Sequence, residues 1–296
     1  MLNGDHRHTA WAAHRRIVAQ LDRGCGLGPP LGVKTWEGAM FDLGLQDKVA
    51  MITGGSDGLG LATARRLSEE GCKVAICARR EEHLREAADR ISAATGGQIL
   101  AHRADVSIPT DVESFVAATS ERFGGIDVVI NNAGKSAAAS FEAVPDEDWQ
   151  SDFDLKVMGA VRLCRLTIPI LRGRGGGAIL NATIVGAKAP PGAALPTTLS
   201  RAAGINLTKA LANEYAGDNI RVNTICIGLL KSAQWDRRAG NRNIDEFYAE
   251  LAPRVPLRRI GEAEEFADLA AFLVSARAAY ITGVAVNLDG GMCAVV

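Results

Sequence analysis

No apolar run in this 296-residue chain approaches the ~20 residues needed to cross a bilayer, and the N-terminus lacks the continuous apolar stretch of a secretory signal. A soluble, cytoplasmic protein is the expectation. Neither charge is in surplus: 33 Lys and Arg stand against 34 Asp and Glu, so no global field draws the chain to nucleic acid or to an anionic membrane. Cysteine is sparse. Cys25, Cys72, Cys77, Cys164, Cys226 and Cys293 show no C-x-x-C or knuckle spacing and mostly sit in apolar runs, which reads as free thiols in a reducing cytosol. The pair His6-x-His8 has no carboxylate or Cys cluster to complete a metal site, so a solvated tail and no metal are expected.

What is present divides unevenly. Residues 1 to 39 carry scattered His and Arg and the loop-like run Gly24-Cys25-Gly26-Leu27-Gly28-Pro29-Pro30, and read as a disordered or loosely packed extension. From residue 40 to 296 one domain is expected. There, β-branched runs alternate with helical patterns, the signature of repeated β-α units and a parallel sheet. Strands are predicted at Val49 to Thr53, Lys73 to Ala78, Ile99 to Arg103, Val128 to Asn131, Ala178 to Thr183, Arg221 to Ile225 and Ala285 to Leu288. Helices are predicted at Leu59 to Glu70, Glu81 to Ala94, Asp111 to Phe123, Asp146 to Leu171, Ser200 to Tyr215 and Ala263 to Val274. The strand runs have few charges, as strands buried on both faces require.

The first strand ends in Thr53-Gly54-Gly55-Ser56-Asp57-Gly58-Leu59-Gly60 and runs straight into a helix. A Gly-rich turn lets backbone approach a pyrophosphate, and the helix N-terminus points free N–H groups at it. With Asp105-Val106, Asn131-Asn132-Ala133-Gly134, Asn219-Ile220-Arg221-Val222-Asn223, Tyr280-Ile281-Thr282-Gly283 and Asp289-Gly290-Gly291, this run resembles the short-chain dehydrogenase/reductase family over nearly everything after residue 40. The resemblance implies an α/β, three-layer Rossmann fold with a doubly wound seven-stranded parallel sheet. It implies an NAD(P)-dependent oxidoreductase acting on an alcohol or carbonyl. By family analogy the chain forms a homodimer or homotetramer through the helices at residues 146 to 171 and 200 to 215.

The same resemblance places the dinucleotide on Gly54, Ser56, Asp57, Gly58, Leu59 and Gly60, with Asp105 and Val106 at the adenine and Asn132, Ala133 and Gly134 beside it. Arg79 follows the second strand, where an NAD-preferring relative would carry an acid; its guanidinium suits a 2′-phosphate and favours NADP over NAD. The charge of Asp57 argues the other way.

The family's proton chemistry uses a Tyr, a Lys four residues later, a Ser and an Asn. The ammonium lowers the phenol pKa from about 10 towards the working range. Aligning the motifs puts Lys156 at the Asn position, Ile184 at the Ser, Thr197 at the Tyr and Arg201 at the Lys. A Thr hydroxyl is far less acidic than a phenol, Ile184 has no donor, and Arg201 holds its proton. The family mechanism is therefore expected to fail, although Arg201 can still grip the cofactor. Tyr248 is the one tyrosine placed to substitute, and Lys135, Lys156 and Lys188 are expected to cluster around the centre. Two functions follow: an oxidoreductase with a rearranged centre and an unknown small-molecule substrate, or a dinucleotide-binding protein without turnover that senses or scaffolds.

Overall fold

The computed structural model describes residues 42–295; the segment 1 to 39, with Cys25 and the His6-x-His8 pair, lies outside the described residues. Among the described residues, seven parallel strands form one sheet: β1 (Val49–Thr53), β2 (Lys73–Ala78), β3 (Ile99–Arg103), β4 (Val128–Asn131), β5 (Gly177–Ile184), β6 (Ile220–Ile227) and β7 (Ala285–Leu288). Their order is β3-β2-β1-β4-β5-β6-β7. The chain thus builds outward from β1 to β3, returns to the other side of β1 and builds outward again. The crevice between the carboxyl ends of β1 and β4, where the direction reverses, is where doubly wound sheets bind ligands.

Helices cover both faces. On one lie α1 (Gly58–Glu69), α2 (Glu81–Thr95) and, late in the chain, α9 (Ala263–Val274). On the other lie α3 (Pro109–Phe123), α5 (Gly159–Gly173), preceded by the short α4 (Asp146–Phe153), and α6 (Thr197–Tyr215). Alternation along the strands feeds the two cores in turn. Ala50 and Ile52 of β1 join Leu67 of α1 and Phe266 of α9, whereas Met51 joins Phe115 of α3 and Leu163 of α5. Each fully buried Leu, Ile or Phe contributes roughly 1.5 to 3 kcal/mol. Two further helices, α7 (Ala233–Ala239) and α8 (Ile244–Leu251), sit on a small cluster of Phe247, Tyr248, Val255 and Ile260.

Several boundaries differ from those predicted. Strands β5 and β6 are longer because they pair continuously from Gly177↔Ile220 to Ile184↔Ile227. Helix α6 begins at Thr197 and not at Ser200, whose N–H already bonds the Pro196 carbonyl and whose hydroxyl donates to Asp152 at 2.6 Å. The helix expected over 146 to 171 is interrupted by one π-helical turn, Asp154–Met158, an insertion that recurs at functional sites. Lys156 lies within that turn.

The N-terminal edge of the sheet is fastened by Asp127. Its carboxylate accepts from the buried Val49 N–H at 2.9 Å and from the Arg174 guanidinium at 3.0 and 3.1 Å. Asp127→Ala is expected to cost about 2 to 4 kcal/mol, since it strands a buried N–H and unpairs the guanidinium. Denaturant unfolding measures this, and a loss below about 1 kcal/mol would show that solvent replaces both contacts.

Candidate active site

The carboxyl ends of β1, β4 and β5 open into a cleft of about 810 Å³. The turn after β1 forms one wall. Gly54 and Gly58 take positive φ (+67 and +49), which glycine adopts without strain. A methyl group at Gly60 would collide with the Gly54 carbonyl, so this turn keeps its backbone bare. Asp57 caps α1, accepting from the Gly58 N–H at 2.9 Å. The Leu59 and Gly60 N–H groups, in the first turn of α1, have no acceptor within the helix. The loop after β4 is tied to the turn: Asn132 donates to the Thr53 and Gly54 carbonyls at 3.0 and 3.2 Å, and the Asn132 and Ala133 N–H groups donate to the Thr53 hydroxyl.

All but one of the dinucleotide residues expected from the sequence line this cleft: Gly54, Ser56, Asp57, Gly58 and Leu59 from the turn, Arg79 after β2, Asp105 and Val106 after β3, Asn132, Ala133 and Gly134 after β4, and Arg201 of α6. The exception is Gly60, which stands one residue behind, against Gly54. Asp57 is not an isolated negative charge, because Arg80 lies 3.9 Å and His83 4.0 Å from its carboxylate. Arg79 is exposed, with its guanidinium 4.0 Å from Asp105. Burial alone would raise the Asp105 pKa, but two hydrogen bonds from Ser107, with Arg79 and Arg103 nearby, hold it below the usual carboxylate range.

Lys156, Ile184, Thr197 and Arg201 converge. Ile184, Thr197 and Arg201 line the cleft, and Lys156 stands behind them with its side chain wholly buried. It is no solvated helix lysine. Its Nζ forms an ion pair with Asp152, one helical turn earlier, and donates to Thr197 Oγ1 at 3.1 Å. Thr197 Oγ1 also accepts from the Ala137 N–H at 2.8 Å. Burial lowers the Lys156 pKa, Arg201 and Lys135 lower it further, and Asp152 only partly opposes them, leaving it at about 8. Arg201 donates through Nη1 to the Ala182 carbonyl at 2.6 Å, while its Nε is buried without a partner. Burial brings its pKa down to about 10, against the pull of Asp152.

Two expectations are corrected. Lys188 does not join the cluster: its ammonium donates to the Ala285 carbonyl of β7 at 2.8 Å. Tyr248 is not presented to the cleft. It is buried in the cluster under α7 and α8, its hydroxyl donates to Asp236 at 2.7 Å, and burial and that bond push its pKa up to about 12. A phenol so held is a poor proton donor. Sequence reading missed Asp152 and Ser200, although the i, i+4 spacing of Asp152 and Lys156 was a signal. It also missed Ser136, Gln234, Trp235 and Arg238 at the cleft mouth, for which no local pattern exists.

A family model described as enoyl-(acyl carrier protein) reductase matches residues 54–293. The chain belongs to the short-chain dehydrogenase/reductase family. Its members are oxidoreductases of alcohols and carbonyls. The chain is 35% identical over 252 residues to 2-(R)-hydroxypropyl-CoM dehydrogenase of Xanthobacter autotrophicus, covering 84% of this chain and 99% of the relative. L-sorbose reductase of Gluconobacter frateurii, solved with NADPH and L-sorbose, superposes with a TM-score of 0.83 at 36% identity over 86% of this chain and all of that one. An NADPH-bound short-chain oxidoreductase of Pseudomonas aeruginosa PAO1, described as containing an atypical catalytic centre, superposes at 0.81 with 34% identity, covering 86% and 99%. Among the described residues the cysteines are free, no cluster of metal-binding side chains occurs, and no helix is long and apolar enough to cross a membrane.

Proposed function

We propose that the chain is an NADPH-dependent oxidoreductase of carbonyls and alcohols in which Thr197 stands where the family's Tyr acts and Lys156 replenishes its proton. The dinucleotide fits the residues present: a turn too close for side chains, free N–H groups at the start of α1, and Arg201 lining the same cleft. When bound, the cofactor supplies a hydride to the carbonyl carbon. The protein's task is then one proton for the oxygen.

The observation that carries this reading is the saturation of Thr197 Oγ1. A hydroxyl oxygen accepts two hydrogen bonds and donates one. Both acceptor positions are filled, by Ala137 N–H and Lys156 Nζ, so the hydroxyl proton is left for a group in the cleft. As Thr197 donates, it takes a proton from the Lys156 ammonium, which avoids a free alkoxide. Asp152 and Ser200 hold Lys156 in place. Ile184 supplies apolar wall and no hydrogen bond. A relative with an atypical centre that binds NADPH supports this reading. NADPH oxidation against ketones and aldehydes tests it; turnover in wild type that disappears in Thr197→Val is the supporting result.

The Arg79 and Arg80 side chains at the end of β2 favour the 2′-phosphate, and Arg80 offsets the charge of Asp57. NADPH is expected to bind more tightly than NADH, with Arg79→Ala removing most of the difference, about 1.5 to 3 kcal/mol. Calorimetric titration of both cofactors measures it; equal affinities would overturn the assignment. The unpaired thiols, buried at Cys72, Cys77, Cys164 and Cys226, suit a reducing compartment, and the cytoplasm is the proposed location. Association into a dimer or tetramer through α4, α5 and α6 is proposed on family analogy, with Leu199 exposed on α6 and Phe141 exposed just before α4.

A further inference from the structure

The cleft has two electrically different ends. Its lining acids, Asp57 and Asp105, both belong to the turn and strand ends next to Arg79 and Arg80, and each is matched by a cation there. At the opposite end the lining holds Lys135, Arg201 and Arg238 and no carboxylate. Arg238 is built into place. Its guanidinium lies over the Trp235 ring, 4.8 Å from the centroid, and donates to the Ser136 hydroxyl at 3.3 Å; Gln234, on the same helix α7, accepts from the Ser136 N–H at 3.0 Å. These contacts hold α7 against the loop that carries Lys135. Asp236, the acid on α7, is turned to the Tyr248 hydroxyl. No described carboxylate pairs with Lys135 or Arg238.

We propose that the substrate is an oxo acid or hydroxy acid, a carbonyl or alcohol whose carbon skeleton bears a separate carboxylate, and that Lys135 and Arg238 bind that carboxylate at the mouth of the cleft. The proposal rests on the assignment of Thr197 and Lys156 to the reacting oxygen, and extends it to the far end of the substrate. A planar guanidinium fixed by stacking is a ready partner for a carboxylate. Met292 and Ile184 add apolar lining to the same cleft. Positive charge is already in excess: Lys135, Arg201 and Arg238 line the cleft, Lys156 is buried behind it with Asp152 as its counterion, and Lys135 and Arg201 both depress the Lys156 pKa. A bound anion relieves that excess.

The probe is 4-oxo-4-phenylbutanoate, compared with its primary amide and with the sulfonate of matching length. Each is titrated into the protein alone and into the protein saturated with NADP⁺, following tryptophan fluorescence and heat. Those measurements need no turnover. The acid is expected to bind about 10- to 100-fold more tightly than the amide, the value of one charge-assisted contact. The preference should shrink with added salt. Lys135→Gln with Arg238→Gln should bring acid and amide to the same affinity; both side chains are exposed, and circular dichroism checks the fold. A sulfonate that binds more tightly than the acid would replace carboxylate by sulfonate and overturn the assigned class. Equal binding of acid and amide, no binding of the acid at millimolar concentration, or a preference that survives the double substitution would overturn the proposal. Discrimination without NADPH oxidation would instead remove the redox reading and leave the anion site standing.

Discussion

Thr197→Val is expected to lower kcat/KM for carbonyl reduction by roughly 10² to 10⁴, the usual worth of positioned acid-base catalysis, while NADPH still binds. Valine matches threonine in shape, so the cofactor wall is preserved and the lost element is one hydroxyl. The same change strands the Ala137 N–H and the Lys156 ammonium, at a cost of about 1 to 3 kcal/mol of stability. Thr197→Ser separates the two effects, because serine restores the acceptor and the donor. Activity within about tenfold of wild type is expected for serine, against the far larger loss for valine. A valine variant as active as the serine variant would remove Thr197 from the chemistry.

Lys156→Met is expected to destabilise the protein by about 3 to 5 kcal/mol, because Asp152 is left as a buried charge with only the Ser200 hydroxyl as partner. Asp152→Asn added to it should recover most of that stability. Activity should not return with it. Lys156 acts through Thr197 and is a positioning residue and proton store, so the structural repair leaves the proton path broken. Unfolding midpoints and NADPH oxidation measured on the single and double variants distinguish the roles. A double variant that regained both stability and turnover would make Lys156 purely structural.

The residues differ sharply in how far their placement was legible in the sequence. The strands β1 to β4 and β7 follow from short β-branched runs bounded by Gly, Asn and charged residues, and the glycines of the first turn follow from the close approach that the fold demands. The start of α6 was placed three residues late, and the hydroxyl of Ser200, in its first turn, bonds a carboxylate 48 residues away. Lys156 was expected in the site by alignment with the family. Its burial was not legible, because lysine is rarely buried, an i, i+4 pair with Asp152 reads equally as a solvated helix pair, and the contacts with Thr197 and Ser200 that enclose it are tertiary. Tyr248 illustrates the converse. Its segment is the right one for covering a substrate, but the phenol is turned to Asp236, and side-chain direction on a short helix cannot be read from spacing alone.

The pH dependence of NADPH oxidation across a ketone and aldehyde panel, measured for wild type and for Thr197→Ser, bears most directly on the proton path. Reduction needs Lys156 protonated, and burial with the nearby cations brings its pKa to about 8. The rate should therefore be flat below that value and fall as pH rises through about 8, with alcohol oxidation by NADP⁺ rising over the same range. Thr197→Ser should keep the inflection. Turnover without an inflection near pH 8, or dinucleotide binding with no turnover on any carbonyl, would contradict the account; the second outcome would leave a dinucleotide-binding protein that senses or scaffolds.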